Sequence, residues 1–232
     1  MVVTDDNFAS IAAAVEEGRA AFDNIRKSVH FLLACGISEI LLMLFAALLG
    51  LPLPLLPVQS LWINLVTSGL PALALAVDPK DPALMQRPPR RPDTGILERQ
   101  QILLMFAQGL FIALIAILSF AYCLYAMDLD LERARTLAFM TLIGAHLAHA
   151  FNCRNQRLSL FALGFWSNRP QLWAVGGSAL LQVGLVLMPW SREIFKLAPF
   201  DLAHWVLAFG AGILILVAME LWKAARRSPL PV

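Results

Sequence analysis

The sequence predicts an all-α polytopic membrane protein: a six-transmembrane-helix bundle with an N-terminal cytoplasmic stalk helix. Three observations lead there. Of 232 residues, 59% are hydrophobic and only 15% are charged, against about a quarter charged in a soluble domain. Several apolar runs approach or exceed the roughly 18 residues needed to cross a hydrocarbon layer about 30 Å thick. The basic residues collect on alternate connections between those runs. An ordinary soluble enzyme and a disordered chain are excluded. The cysteines Cys35, Cys123 and Cys153 lie in or beside apolar runs, which argues against a secreted disulfide scaffold. A net charge of +2 is too small to suggest nucleic acid as a partner.

Residues 4–29 come first and do not span a membrane. Phe8, Ile11, Ala12, Val15, Phe22, Ile25 and Val29 follow helical spacing, and Asp5, Asp6 and Asn7 are good capping residues ahead of them. This amphipathic helix runs into the first span, and its apolar face needs a partner. No signal peptide is expected in the first 30 residues, because they mix acidic and basic groups. The six spans are expected at about 31–49, 61–77, 102–127, 136–153, 172–188 and 202–222. The runs are continuous and do not alternate, so a β-barrel is not expected. Trp62, Trp173, Trp190, Trp205 and Trp222 fall near span ends, as aromatic belts do.

Charge sets the orientation. Arg19, Arg26, Lys27, Lys80, Arg87, Arg90, Arg91, Arg99, Arg154, Arg157, Arg169, Lys223, Arg226 and Arg227 fall on one side. Arg133, Arg135, Arg192 and Lys196 fall on the other. This bias places both termini in the cytoplasm. The most basic connection, Arg87–Pro92, reads as a topology anchor against anionic head groups. The lipid bilayer is the first partner, and the plasma (inner) membrane is the expected location.

Polar groups inside a span are costly, so each is a candidate for function. Glu39 lies near the middle of the first span with no basic residue in the spans to pair with. It is either protonated and hydrogen-bonded or a carboxylate that meets a cation. Asn64, Thr67 and Ser68, at i, i+3 and i+4, put three oxygens on one helical face of the second span. Gly69 and Pro71 follow, and a helix break there would free carbonyls beside them, as in membrane cation sites. The alternative is a kinked helix whose Ser and Thr bond back to their own backbone. His146, His149 and Asn152 share the fourth span with Cys153. They suit a softer metal, interhelical hydrogen bonds, or the membrane interface. Gln108 and Gln182 read as glue between helices, and Glu220 as reaching water.

The stretches VVTDDNFASIAAAVEEGRAAFDNIRK, SEILLMLFAALLGLPLPLLPVQSLWINLVTSGLPALALAVDP and MQRPPR resemble the C-terminal part of type II P-type cation ATPases, closest to the calcium-pump branch. IFKLAPFDLAHW also looks like the family. The resemblance implies that residues 1–10 end a phosphorylation domain and 11–29 form the stalk helix. It thus divides the chain into a cytoplasmic part at 1–29, the six-helix membrane domain at 30–224, and a tail at 225–232. The spans would be the fifth to tenth of the family's ten. The family's ion site lies between its fourth, fifth, sixth and eighth helices. By the same resemblance Glu39, Asn64 and Thr67 match site positions.

The departures are Ser68 in place of a site aspartate, Gly36 in place of a site asparagine, and His146 in place of a glutamate. Calcium favours several hard oxygens with more than one carboxylate, so two-ion calcium transport is not expected. A monovalent ion, a proton, a softer metal, or no transport remain open. The family's actuator domain, phosphorylated aspartate, nucleotide-binding domain and first four spans are not expected in these residues. Asp93–Thr94–Gly95 is only a loop tripeptide and no phosphate-binding loop occurs. The chain therefore needs no cofactor of its own beyond a transported cation of unknown identity. ATP and magnesium would act only through the remaining part of a P-type ATPase. The main alternative is a stand-alone, non-transporting membrane protein that binds or regulates a partner. A passive cation pathway is disfavoured, since nothing resembles a selectivity filter.

Overall fold

The computed structural model describes residues 8–81, 84–86, 88, 95–155, 159–160, 164–199 and 202–225. The capping candidates Asp5, Asp6 and Asn7 lie outside these residues, as do Arg87, Arg90, Arg91, Arg157 and the tail from Arg226. Every regular element among the described residues is helical.

Helix α1 (Phe8–Leu48) is continuous over 41 residues, about 60 Å at 1.5 Å per residue and so about twice the hydrocarbon thickness. The expected stalk and first span are therefore one helix. Phe8, Ile11, Val15 and Ile25 leave an apolar stripe of the extension exposed. The next crossing is composite. Short α2 (Pro57–Trp62) passes into a π-helix (Ile63–Ser68) and then into α3 (Gly69–Ala76). Proline at the first turn of α2 suits a position whose N–H would be orphaned anyway. The Gln59 side chain accepts from Leu56 N at 3.0 Å and donates to Phe195 O at 2.9 Å, tying this helix start to another part of the chain.

Helix α4 (Arg99–Tyr125) follows, and α5 (Leu131–Asn152) is capped by Asp130 Oδ1, which accepts from Arg133 N at 2.8 Å. Then come α6 (Arg169–Leu187), short α7 (Pro189–Phe195) and α8 (Leu202–Ala225). Lys196 closes α7 in the left-handed region, φ 51°.

Five of the expected spans are long and apolar enough to cross a membrane: Phe8–Leu48, Pro57–Ala76, Arg99–Tyr125, Arg169–Leu187 and His204–Ala225. The fourth expected span is α5. It has the length, at 22 residues, but not the apolar composition. Its position explains the difference. α5 is the centre of the bundle and packs against α4 and α8, with most of its residues buried. A helix surrounded by protein need not present a hydrocarbon-like surface, and so can carry His146, His149, Thr136, Thr141 and Asn152.

Two close contacts hold the frame. A Cβ on Gly212 of α8 would lie 2.8 Å from Gly144 O of α5, and one on Gly144 would lie 2.9 Å from Ala208 O. Gly144 and Ala148 on α5, and Ala208 and Gly212 on α8, repeat the small-xxx-small spacing that lets membrane helices approach closely. Gly109 of α4 does the same against α1, where a Cβ would meet Ile37 Cγ2 at 2.7 Å.

At the end of the bundle from which α1 extends, Asp78 gathers four elements. It takes Lys27 Nζ at 2.6 Å, Arg154 Nε at 3.1 Å and Asn168 Nδ2 at 2.7 Å on its carboxylate. Its carbonyl accepts Asn24 Nδ2 at 2.7 Å. Asn168 also caps α6, accepting from Gln171 N at 2.8 Å. Nearby, Lys80 binds Glu17 of α1, whose carboxylate holds the ammonium above its ordinary lysine range.

Candidate cation site

Glu39 shares a buried face of α1 with Cys35, Ser38 and Leu42. The residue is 9% exposed. Its Oε2 accepts from Asn64 Nδ2 at 3.1 Å, while Oε1 is buried and has no hydrogen-bond partner. Among the described residues no basic side chain pairs with this carboxyl. A buried acceptor left unmade costs about 1–3 kcal/mol, and more if it is charged. The carboxyl is therefore under-satisfied as it stands, and either a proton or a cation would relieve it.

The other oxygens come from the π-helix. The same Asn64 amide donates to Ser60 O at 2.9 Å, and Asn64 is exposed. Thr67 is fully buried and donates back to Ile63 O at 2.9 Å. This is the back-bonding read from sequence as the alternative, and it leaves the hydroxyl lone pairs available as acceptors. Ser68 is 1% exposed, and its Oγ makes no hydrogen bond of ordinary geometry.

The helix does not break at Gly69–Pro71. It widens into the π-helix ahead of them and continues as α3. Pro71 has no N–H for the carbonyl of Thr67, and Val66 O accepts from Ser178 Oγ of α6 at 3.0 Å. Single-turn π insertions are often found where a helix carries function. The main-chain irregularity expected from sequence is present in this milder form.

The structure brings Glu39 and Asn64 together and sets Thr67 and Ser68 on the same π segment. His146 is brought to the neighbouring residue, not to the Glu39 carboxyl. Its Nε2 meets Ser38 Oγ at 2.8 Å, and Ser38 donates to Cys35 O at 2.7 Å, which makes Nε2–H the donor to Ser38. His146 Nδ1 is buried without a partner. Gly36 has nothing within 4 Å of where a Cβ would be, so the side chain absent there leaves open space.

Ser38 and Ser178 were not selected from sequence. Ser38 is signalled by its place beside Glu39 in an apolar run, whereas nothing in the α6 sequence marks Ser178. The two glutamines do join helices. Gln182 accepts from Trp62 Nε1 at 2.9 Å, and Gln108 Oε1 lies 2.6 Å from His30 Nε2. Glu220 does not simply reach water. It holds Lys223 Nζ at 2.9 Å and Leu160 N at 3.3 Å.

The chain matches the family model described as "Cation transporting ATPase, C-terminus" over residues 52–225. It is 41% identical over 210 residues to a calcium-transporting ATPase of Bacillus subtilis (strain 168), covering 90% of this chain and 24% of that protein. It is 36% identical over 227 residues to a protein named probable cation-transporting ATPase F of Mycobacterium tuberculosis (strain H37Rv), covering 94% of this chain and 24% of that one. A calcium-transporting ATPase of Listeria monocytogenes is 36% identical over 229 residues, covering 97% of this chain and 25% of its own length. The chain thus spans about a quarter of the length of these relatives.

Proposed function

The chain belongs to the cation-transporting ATPase family through its C-terminal region, and from that premise we propose that it is the membrane half of a cation pump. In this reading it contributes part of an intramembrane cation site and the helix that couples the site to ATP-driven work. The bundle crosses the membrane six times, α5 included, with both termini in the cytoplasm of the cell and the plasma membrane as its location.

The observation that carries the proposal is Glu39. It is an acidic side chain inside an apolar bundle, with one oxygen held by Asn64 and the other unpartnered. The cation would be taken by Glu39 Oε1 together with the side-chain oxygens of Asn64, Thr67 and Ser68. Asn64 lies on an exposed face with Leu61 and Leu65, and Ile40 of α1 is exposed as well. That face is where a further helix would add the remaining ligands. With a single carboxylate from this chain, the site suits one cation rather than a pair of calcium ions.

ATP and magnesium would act elsewhere in the whole protein. The exposed stripe Phe8, Ile11 and Val15 offers a seat for a phosphorylated domain. Because α1 is one helix from that stripe to Glu39, movement of its extension reaches the carboxyl without an intervening joint.

The test is Glu39→Gln in the complete pump, assayed in membrane vesicles against calcium, manganese, sodium, potassium and protons. Loss of cation-stimulated ATPase activity, or at least a tenfold rise in the half-saturating cation concentration, is expected. Stimulation unchanged from the parent protein would refute the site.

A further inference from the structure

A second group of ligand-type side chains lies about one to two turns from His146, toward the end from which α1 extends. His30 of α1, His149 of α5 and Cys153, which follows α5 directly, each present one donor atom, and the three atoms lie within 4.8 Å of one another. All three residues are buried, at 2%, 0% and 3% exposure. His149 and Cys153 are four residues apart and so share one face of α5. His149 Nε2 is 3.3 Å from Cys153 Sγ. Metal–sulfur and metal–nitrogen bonds of about 2.3 and 2.0–2.1 Å at a tetrahedral angle put two such donors roughly 3.5 Å apart. His149 Nδ1 is buried and has no hydrogen-bond partner.

We propose that His30, His149 and Cys153 form a metal site for a thiophilic cation of the zinc class, separate from the transported cation's site at Glu39. Two imidazoles and a thiol are the donor set of zinc and related softer metals and a poor one for calcium or an alkali ion. The surroundings also fit. The His30 ring is oriented by Gln108, whose Oε1 lies 2.6 Å from Nε2. Gln108 would be the outer-shell contact that metal-binding histidines usually have. Lys223 of α8 has its charge balanced by Glu220 at 2.9 Å. On binding, the Cys153 S–H bond breaks, its proton leaves to the medium, and the sulfur lone pair goes to the metal. The ion would fasten α1 to α5 and fix the angle at which the extension leaves the bundle.

The experiment uses the full chain in detergent, stripped with a chelator and titrated with cobalt(II), then zinc(II). One cobalt per chain, with sulfur-to-cobalt charge-transfer absorption displaced by zinc, is expected. Cys153→Ser should abolish that absorption, and His149→Gln should weaken binding at least tenfold. Gln108→Ala should weaken it by about 10- to 100-fold, and Cys123→Ser should leave it unchanged. Absence of a thiolate band in the parent chain, or its survival in Cys153→Ser, overturns the site. Zinc-edge X-ray absorption on the unmutated chain decides the matter even if a variant fails to fold. One sulfur near 2.3 Å with nitrogens at about 2.0–2.1 Å supports the site, and a shell without sulfur overturns it.

Discussion

His146 and Ser68 stand where the family resemblance leads one to expect a carboxylate, and they behave differently. His146 spends Nε2–H on Ser38, and its Nδ1 meets nothing. Ser38 keeps its bond to Cys35 O whatever stands at 146. His146→Leu should therefore cost less than about 1.5 kcal/mol, since it removes a buried orphan along with a hydrogen bond. Thermal unfolding in detergent checks this. In the pump proposed above the same variant separates the two roles open to His146: unchanged cation affinity means a packing group, and a fall of tenfold or more means a ligand. Ser68 has a buried hydroxyl with unmet capacity. Ser68→Asp adds a carboxylate beside Glu39's partners, and should shift the pump's preference toward divalent over monovalent cations. A cation preference unchanged from that of the parent would show that Ser68 stands outside the site.

The elements were legible where lipid-like runs are long, and less so where a helix is wrapped by protein. Five spans are apolar enough to declare themselves. α5 reads in sequence as one more apolar run, whose polar residues suit a softer metal, hydrogen bonds between helices or the membrane interface. Many of them are permitted because α4 and α8 enclose the helix. The Asn64–Thr67–Ser68 face was readable because side-chain spacing survives a small change of winding. The winding itself was not. Proline signals a disturbance, but whether the helix breaks or widens is decided by tertiary partners such as Ser178, which sequence does not reveal. Helix contact is decided the same way. Gly212→Ala should cost about 1–3 kcal/mol, because the new methyl would meet the Gly144 carbonyl at 2.8 Å. Gly176 of α6 has open space around it, so Gly176→Ala should be neutral or stabilise by about 0.5–1 kcal/mol. Equilibrium unfolding of the two variants side by side checks the difference.

Across the whole molecule, Asp78 joins α1, the end of α3, the end of α5 and the start of α6. None of its partners is near it in sequence, which is why a lone Asp ahead of a Pro-Lys pair gave no sign of its role. Its carboxylate is 5% exposed and takes both Lys27 and Arg154. Asp78→Leu would strand two cations, one of them 4% exposed, and should cost about 3–5 kcal/mol. Arg154→Met should cost less, because Lys27 and Asn168 still hold the carboxylate. Proteolytic susceptibility of the segment around residue 160 reports on both variants. Equal sensitivity would mean that Asp78 is not the hub.

The π-helix at Ile63–Ser68 has one further consequence. A helix with a π insertion carries one residue more than a plain α-helix covering the same distance. If the insertion tightened, everything on one side of it would have to turn by about 100° and slide by about 1.5 Å relative to the other. Asn64 and Thr67 lie within that segment, opposite a Glu39 held by the straight α1. Such a tightening would move their oxygens by one residue's rotation relative to the carboxyl without unwinding a turn.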